Sequence, residues 1–261
     1  MGEDPGGPGV RGAVAVVLAA GSGDRLGQAM PKAFVHAGGR SILALAAEAA
    51  AACPAVVLLV VTVPAGWEER ARAELPASKP ATVVAGGRSR HQSVRLALAV
   101  VPADTQAVLV HDAARCLASS QLFERVLVAL ADTGAEGVVP VIVVPDTVKR
   151  IRDGRVVATE SRDELGLAQT PQGFRAAALR AAHRRAEAEG VEFTDDAAAL
   201  EWAGFTVRAI AGELDNVKVT TAEDLARAQA VLASAAAAPP SPPAGPSELS
   251  APSTRSLGTR G

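Results

Sequence analysis

The sequence predicts an α/β fold: a Rossmann-like, mainly parallel sheet with helices on both faces and a projecting β-hairpin arm. Two observations carry this expectation. Short runs that are apolar throughout alternate with alanine-rich stretches long enough to be helices. A strand with no polar face needs cover on both sides, which crossover helices give to a parallel sheet. The second observation is one break in the alternation, a pair of short runs about Asp153-Gly154. Glycine there supplies the positive φ of a tight hairpin turn.

In chain order, Ala13–Ala19 is expected as a buried strand, and Ser41–Ala52 as a helix opened by a serine cap. Val56–Val63 reads as a β-branched strand, Trp67–Leu75 as a charged helix and Thr82–Ala85 as a short strand. Ser93–Val100 is expected to be helical, Ala107–His111 a strand, Ser120–Ala131 a helix and Gly137–Val144 again a strand. The arm falls within Val144–Arg162. Its second face has little apolar material, so it is expected to project and pack against something else, such as a second subunit.

Composition sets the boundaries of the folded part. Residues 1–11 are a Gly/Pro-rich leader, and from about Ala235 the chain turns to Ala, Pro, Ser and Gly, a composition expected to stay disordered. Residues 12–234 are long enough for one domain with a sizeable core. The chain has 261 residues, 49% of them apolar, with a formal net charge of -2 and no tyrosine. Nucleic-acid binding is therefore not expected, because both a basic field and stacking aromatics are lacking. No apolar run reaches membrane-spanning length, and the N-terminus lacks a signal-peptide core. Two cysteines without metal-ligand spacing argue against a zinc site or disulfide scaffold, so a reduced, cytoplasmic setting is expected.

Four segments carry the chemistry. The first runs from Leu18 through Ala19, Ala20, Gly21, Gly23 and Arg25 to Met30-Pro31-Lys32. It leaves a buried strand at its carboxyl end, where open α/β sheets bind ligands. Gly21 and Gly23 let the backbone approach a phosphate, and Arg25 and Lys32 add two cations. The spacing fits neither the dinucleotide fingerprint nor the Walker loop. Only four of the 26 basic residues are lysines (Lys32, Lys79, Lys149 and Lys218), and three of them lie in motif-like segments.

The second segment is Ala85-Gly86-Gly87-Arg88-Ser89-Arg90-His91-Gln92-Ser93, in which a helix is expected to open near Ser93. Ser93 is either its cap or a ligand contact, and His91 is expected at the surface. The third is His111-Asp112-Ala113-Ala114-Arg115-Cys116. Asp112 could hold magnesium or cap a helix, Arg115 suits a phosphate, and His111 is expected to pack on its strand. The fourth is dispersed: Arg162, Gln169-Thr170-Pro171-Gln172-Gly173-Phe174, Thr194-Asp195-Asp196, and Asp215-Asn216-Val217-Lys218 before Thr220-Thr221. Thr194 and Thr221 are possible caps, Thr221 in a capping box with Asp224. Lys218, expected on a short strand, is read as a ligand-facing cation.

Taken together, AAGSGDRLG with MPK, GGRSRHQSV, HDAAR, VPDTVKR, AQTPQGF, TDD and DNVKVTTAEDL resemble the 2-C-methyl-D-erythritol 4-phosphate cytidylyltransferase family over about residues 13–232. The resemblance implies a nucleotide-diphospho-sugar transferase type of sheet and a direct displacement, in which a sugar phosphate attacks the α-phosphorus of CTP and pyrophosphate leaves with magnesium. It implies that Ala19, Ala20, Gly21, Gly23, Arg25 and Lys32 wrap the triphosphate, with Arg25 and Lys32 stabilising charge at the α-phosphate. Gly87 and Ser93 would read the base, and Asp112 would lie near the ribose and metal. Arg115, Thr147, Arg162, Thr170, Thr194 and Lys218 form the expected sugar-phosphate set, with Arg162 and Lys218 orienting the attacking phosphate. The arm is expected to make a homodimer, so that Thr147 and Arg162 complete a partner's site. One departure is Cys116, where the family usually has proline after HDAAR; losing that fixed φ is expected to loosen Arg115. Two other readings are a cytidylyltransferase for another polyol phosphate, such as ribitol 5-phosphate, and a non-catalytic nucleotide-binding regulator.

Overall fold

The structure, a computed structural model, describes residues 12–21 and 30–237. The leader, the tail beyond residue 237, and the expected site residues Gly23 and Arg25 lie outside the described residues.

The chain opens on β1 (Ala13–Leu18), followed by the small ribbon β2 (His36–Ala37) and β3 (Arg40–Ser41), then α1 (Ile42–Ala52) and β4 (Val56–Val63). Next come α2 (Glu68–Glu74), β5 (Ala81–Ala85), α3 (Arg90–Val100), β6 (Ala107–Asp112), α4 (Ser120–Asp132) and β7 (Gly137–Val143). The arm is β8 (Lys149–Arg152) and β9 (Arg155–Thr159). The rest is β10 (Gly166–Ala168), β11 (Gln172–Arg175), α5 (Ala176–Glu189), α6 (Asp196–Trp202), β12 (Val207–Ala211) and α7 (Ala222–Ala237). The final helix runs three residues past the expected end of the domain at residue 234, since its alanines continue the helix before the prolines begin.

The main sheet has the order β10-β7-β11-β6-β1-β4-β5, with β12 also paired to β7. β1 lies parallel to β4 and β6, and β4 parallel to β5, while β10 and β11 run antiparallel. Alternation along β1 explains the two covered faces. Ala13, Ala15 and Val17 enter one apolar cluster with α1 and α4, whereas Val14 and Val16 enter a second with α3 and α5. Strands that feed both clusters need to be apolar at every position.

The ends of these elements follow from local chemistry. Ser41 caps α1, its hydroxyl accepting from the Ala44 amide at 3.0 Å. Helix α3 opens three residues earlier than expected because its cap is Ser89, which accepts from the Gln92 amide at 3.1 Å. Likewise Asp195, not Thr194, caps α6. The Thr221–Asp224 capping box forms as expected, with the Thr221 amide on Asp224 at 2.9 Å and the Asp224 amide on Thr221 at 3.2 Å. In the arm, Asp153 and Gly154 have φ of 49° and 73°, the left-handed pair that a two-residue hairpin turn demands.

Candidate active site

The chain runs from β1 outward to β4 and β5, then returns to place β6 on the other side of β1. Such a reversal of strand order opens a crevice at the carboxyl ends of the strands. Leu18 and Asp112, the last residues of β1 and β6, stand side by side in register there. Three backbone bonds fix the segments that leave the sheet: Ala19 N–H to Thr62 O at 2.8 Å, Gly86 N–H to Val63 O at 2.7 Å and Ala113 N–H to Leu18 O at 2.9 Å. They frame a cleft of about 410 Å³ lined by Ala19, Ala20, Gly21, Lys32, Gly87, Arg90, Ser93, Asp112 and Lys218 among others. The two glycine segments meet so closely that a Cβ on Gly86 would stand 2.2 Å from the Cβ of Ala20.

The floor of the cleft is a charged chain. Asp112 accepts from Lys218 Nζ at 2.7 Å on one carboxylate oxygen and from Arg90 Nε at 3.1 Å on the other. Arg90 turns its Nη1 to Asp196 at 2.7 Å, and Asp196 also meets His183 Nε2 at 2.9 Å. Burial opposes ionisation of Asp112, but Arg90 and Lys218 outweigh it and hold the carboxyl below the usual carboxylate range. Burial likewise works against the charge of Arg90, and Asp196 and Asp112 reverse the effect and raise its pKa.

Most of the expected nucleotide-side residues gather in this cleft, while much of the expected sugar-phosphate set does not. Asp112 is not a helix cap, because α4 begins later and is capped by Ser119. Ser93 lines the cleft, but its hydroxyl accepts from Gly87 N–H at 3.0 Å and donates to Ser89 O at 2.9 Å, so it shapes the Gly87 turn. Lys218 reaches the cleft from a loop rather than a strand; Val219 N–H bonds to Ala114 O at 2.8 Å and lays the segment beside β6.

Thr170 is buried and does not line the cleft; its Oγ1 takes the Asp112 amide at 3.0 Å and contacts His111 Nδ1 at 3.0 Å, which ties it to the backbone of Asp112. Arg115 is also tethered rather than loosened beside Cys116. It donates to Asn216 O at 2.8 Å and to Ala168 O at 2.9 Å. Cys116 is buried, which raises its thiol to about 11. Thr147 and Thr194 are exposed, and Arg162 donates to Pro145 O at 2.7 Å; none of the three lines the cleft.

His91 is buried, not on the surface, and stacks on His183 at 4.4 Å between ring centroids. Arg90, Asp196 and His183 escaped the sequence reading as site residues. Arg90 carried a signal, since it stands in the first turn of the helix that follows the second glycine pair.

His111 packs on its strand as expected, against Phe123 at 5.0 Å. Burial lowers its pKa to about 4 from the ordinary 6.5. The neutral ring therefore contributes fully above pH 6.5, and that contribution is lost as the pH falls from 6.5 to 4. The loss should reach about 3 kcal/mol. Denaturant midpoints are expected to fall across this window, and His111→Asn should flatten the slope; an equally steep slope in that variant would remove His111 as its source.

The family model for 2-C-methyl-D-erythritol 4-phosphate cytidylyltransferase matches residues 13–234. The chain belongs to this family. A relative from Rhodococcus opacus (strain B4), named 2-C-methyl-D-erythritol 4-phosphate cytidylyltransferase, is 46% identical over 220 residues, covering 84% of this chain and 94% of its own. Among solved structures, a 4-diphosphocytidyl-2C-methyl-D-erythritol synthase from Anaerococcus prevotii superposes with a TM-score of 0.76 at 28% identity, over 85% of this chain and 99% of that one. The 2-C-methyl-D-erythritol 4-phosphate cytidylyltransferase of Thermus thermophilus gives 0.68 at 34% identity, over 83% and 97%.

Proposed function

We propose that this chain transfers CMP from CTP to 2-C-methyl-D-erythritol 4-phosphate, giving the diphosphocytidyl sugar alcohol and pyrophosphate on the route to isoprenoid precursors. The observation that carries this reading is the strand-end cleft, where Lys32 and Lys218 stand with Asp112 beside the two glycine segments, which meet at Ala20 and Gly86. CTP lies along the glycine segments, with Lys32 toward its phosphates; Arg25 is assigned to the same phosphates from its sequence motif alone. An oxygen of the sugar phosphate attacks the α-phosphorus in line, the bond to the bridging oxygen breaks, and pyrophosphate leaves. No side chain serves as a covalent carrier. Positioning and neutralisation of developing charge supply the rate.

Magnesium is proposed to travel on the triphosphate. Asp112, the one carboxylate among the described residues lining the cleft, is the side chain that would meet such an ion. Its chemistry there is charge neutralisation on the leaving pyrophosphate.

A homodimer through the arm belongs to the same proposal. Ile151, Val156 and Val157 are exposed on β8 and β9, and Thr147 and Arg162, at the base of the arm, stay out of this chain's own cleft. Light scattering on the purified chain tests it, a monomer at working concentration being the contrary result. No helix among the described residues is long and apolar enough to cross a membrane, and the expected site of action remains the cytoplasm.

Pyrophosphate release from CTP with each candidate sugar phosphate tests the main reading. Turnover is expected with methylerythritol phosphate; turnover with ribitol 5-phosphate alone shifts the acceptor, and binding of CTP without release points to a regulator. Gly86→Ala is expected to lower kcat/KM for CTP about 10²-fold, because the added Cβ drives apart the two segments that seat the nucleotide. Near-normal kinetics for that variant would show that their close contact is not required.

A further inference from the structure

The charged chain under the cleft extends past every residue assigned a role above. Asp112 and Lys218 lie in the cleft, yet Arg90 bridges from Asp112 to a second carboxylate, Asp196, on the first turn of α6. Asp196 is 1% exposed, and its carboxylate meets Arg90 on one oxygen and His183 on the other. The residues it couples are far apart in sequence: Arg90 and Asp196 are 106 positions apart, as are Asp112 and Lys218. Apart from His183, the cluster sets two carboxylates, Asp112 and Asp196, against two cations, Arg90 and Lys218. A buried guanidinium with a carboxylate on one side only would swing toward it, and an unpaired buried charge is costly enough to force that movement. Asp112 would then be shared unequally, and Lys218 would lose the oxygen that sets its position.

We propose that Asp196 is a positioning residue for the transfer, acting through Arg90 to hold Asp112 and thereby the ammonium of Lys218 in the cleft. The role rests on the functional reading above for its kinetic consequence but not for its structural one. Asp196 touches no substrate; it fixes the direction of Arg90, and Arg90 divides Asp112 between itself and Lys218. His183 steadies Asp196 from the side away from the cleft, so its removal should affect the fold more than the rate.

The chain's four lysines make the structural consequence directly visible. With lysine side chains isotopically labelled, the NMR signal of Lys218, assigned by its loss in Lys218→Arg, reports its pairing without any turnover. In Asp196→Asn the Lys218 signal is expected to shift while those of Lys79 and Lys149 stay in place. The same variant is expected to lose about 10- to 100-fold in kcat/KM, and the loss should largely vanish in a Lys218→Ala background, because the two changes act through one link. His183→Gln is expected to lower the melting temperature with kcat/KM within about threefold, because Arg90 still holds the other oxygen of Asp196. If Asp196→Asn does not fold, Asp196→Ser, which leaves room for a water at Arg90, answers by the same signal. A Lys218 signal unmoved in the folded variant overturns the proposal, as does full additivity with Lys218→Ala. A shifted signal in a protein that transfers no CMP overturns the functional reading and leaves the positioning role standing.

Discussion

Lys32→Ala is expected to lower turnover about 10²–10³-fold while the protein keeps its fold. Lys32 opens the short 3-10 turn Lys32–Phe34, and the anchors of that turn are its neighbours: Ala33 and Phe34 are buried, with Phe34 against Trp67 at 4.7 Å. The lysine side chain instead lines the cleft, close enough to Cys116 to draw the thiol pKa down against its burial. Truncation therefore removes a cation from the cleft and leaves the buried Ala33 and Phe34 in place. A cation that meets charge appearing on the α-phosphate acts more strongly in the transition state than on bound CTP, so kcat should fall further than KM rises. Steady-state pyrophosphate release at saturating substrates, with a melting curve beside it, measures both parts. A rate near that of the unaltered chain with an unchanged melting temperature would take Lys32 out of the reaction.

How much of this site the sequence disclosed depended on the range of the interactions involved. Val56–Val63 and the caps at Ser41 and Thr221 were legible because each follows from residues a few positions apart. The glycine segments were legible too, as they interrupt apolar runs where a strand must end. The helix after Gly87 was misplaced because two serines, Ser89 and Ser93, both suit a cap, and only the fold sends Ser93 back to the Gly87 amide. His91 looked like a surface residue because nothing near it in sequence foretells the His183 ring that stacks on it. The bond from the Asp112 amide to the Thr170 hydroxyl, 58 positions later, was not legible because it forms only once β11 has paired with β6. The charged chain from Lys218 to His183 is assembled wholly from such long-range pairs. All its members except His183 could be read as polar residues in motifs, but not as one network.

Lys218→Ala is the other large effect, expected at about 10²-fold in kcat/KM for the sugar phosphate. Two buried neighbours hold the lysine's backbone: Asn216, whose side-chain amide donates to Thr170 O at 2.9 Å, and Val219, whose amide bonds to Ala114 O. The Lys218 side chain is 45% exposed, so its ion pair with Asp112 adds little to stability and the variant should melt within a few degrees of the unaltered chain. Its effect is instead on the cleft. Asp112 keeps Arg90 as partner and stays ionised, so the cleft loses a cation while the carboxylate remains. An approaching sugar phosphate then meets that carboxylate without the ammonium in front of it, and its binding and attack both suffer. The KM for the sugar phosphate should rise and kcat fall, with the KM for CTP changing least. Lys218→Arg, which keeps the charge but not the shape of the ammonium, is expected to recover part of the loss. If Lys218→Ala instead raises the KM for CTP alone, Lys218 belongs with Lys32 on the triphosphate, and orientation of the attacking phosphate falls to Arg162 on the arm.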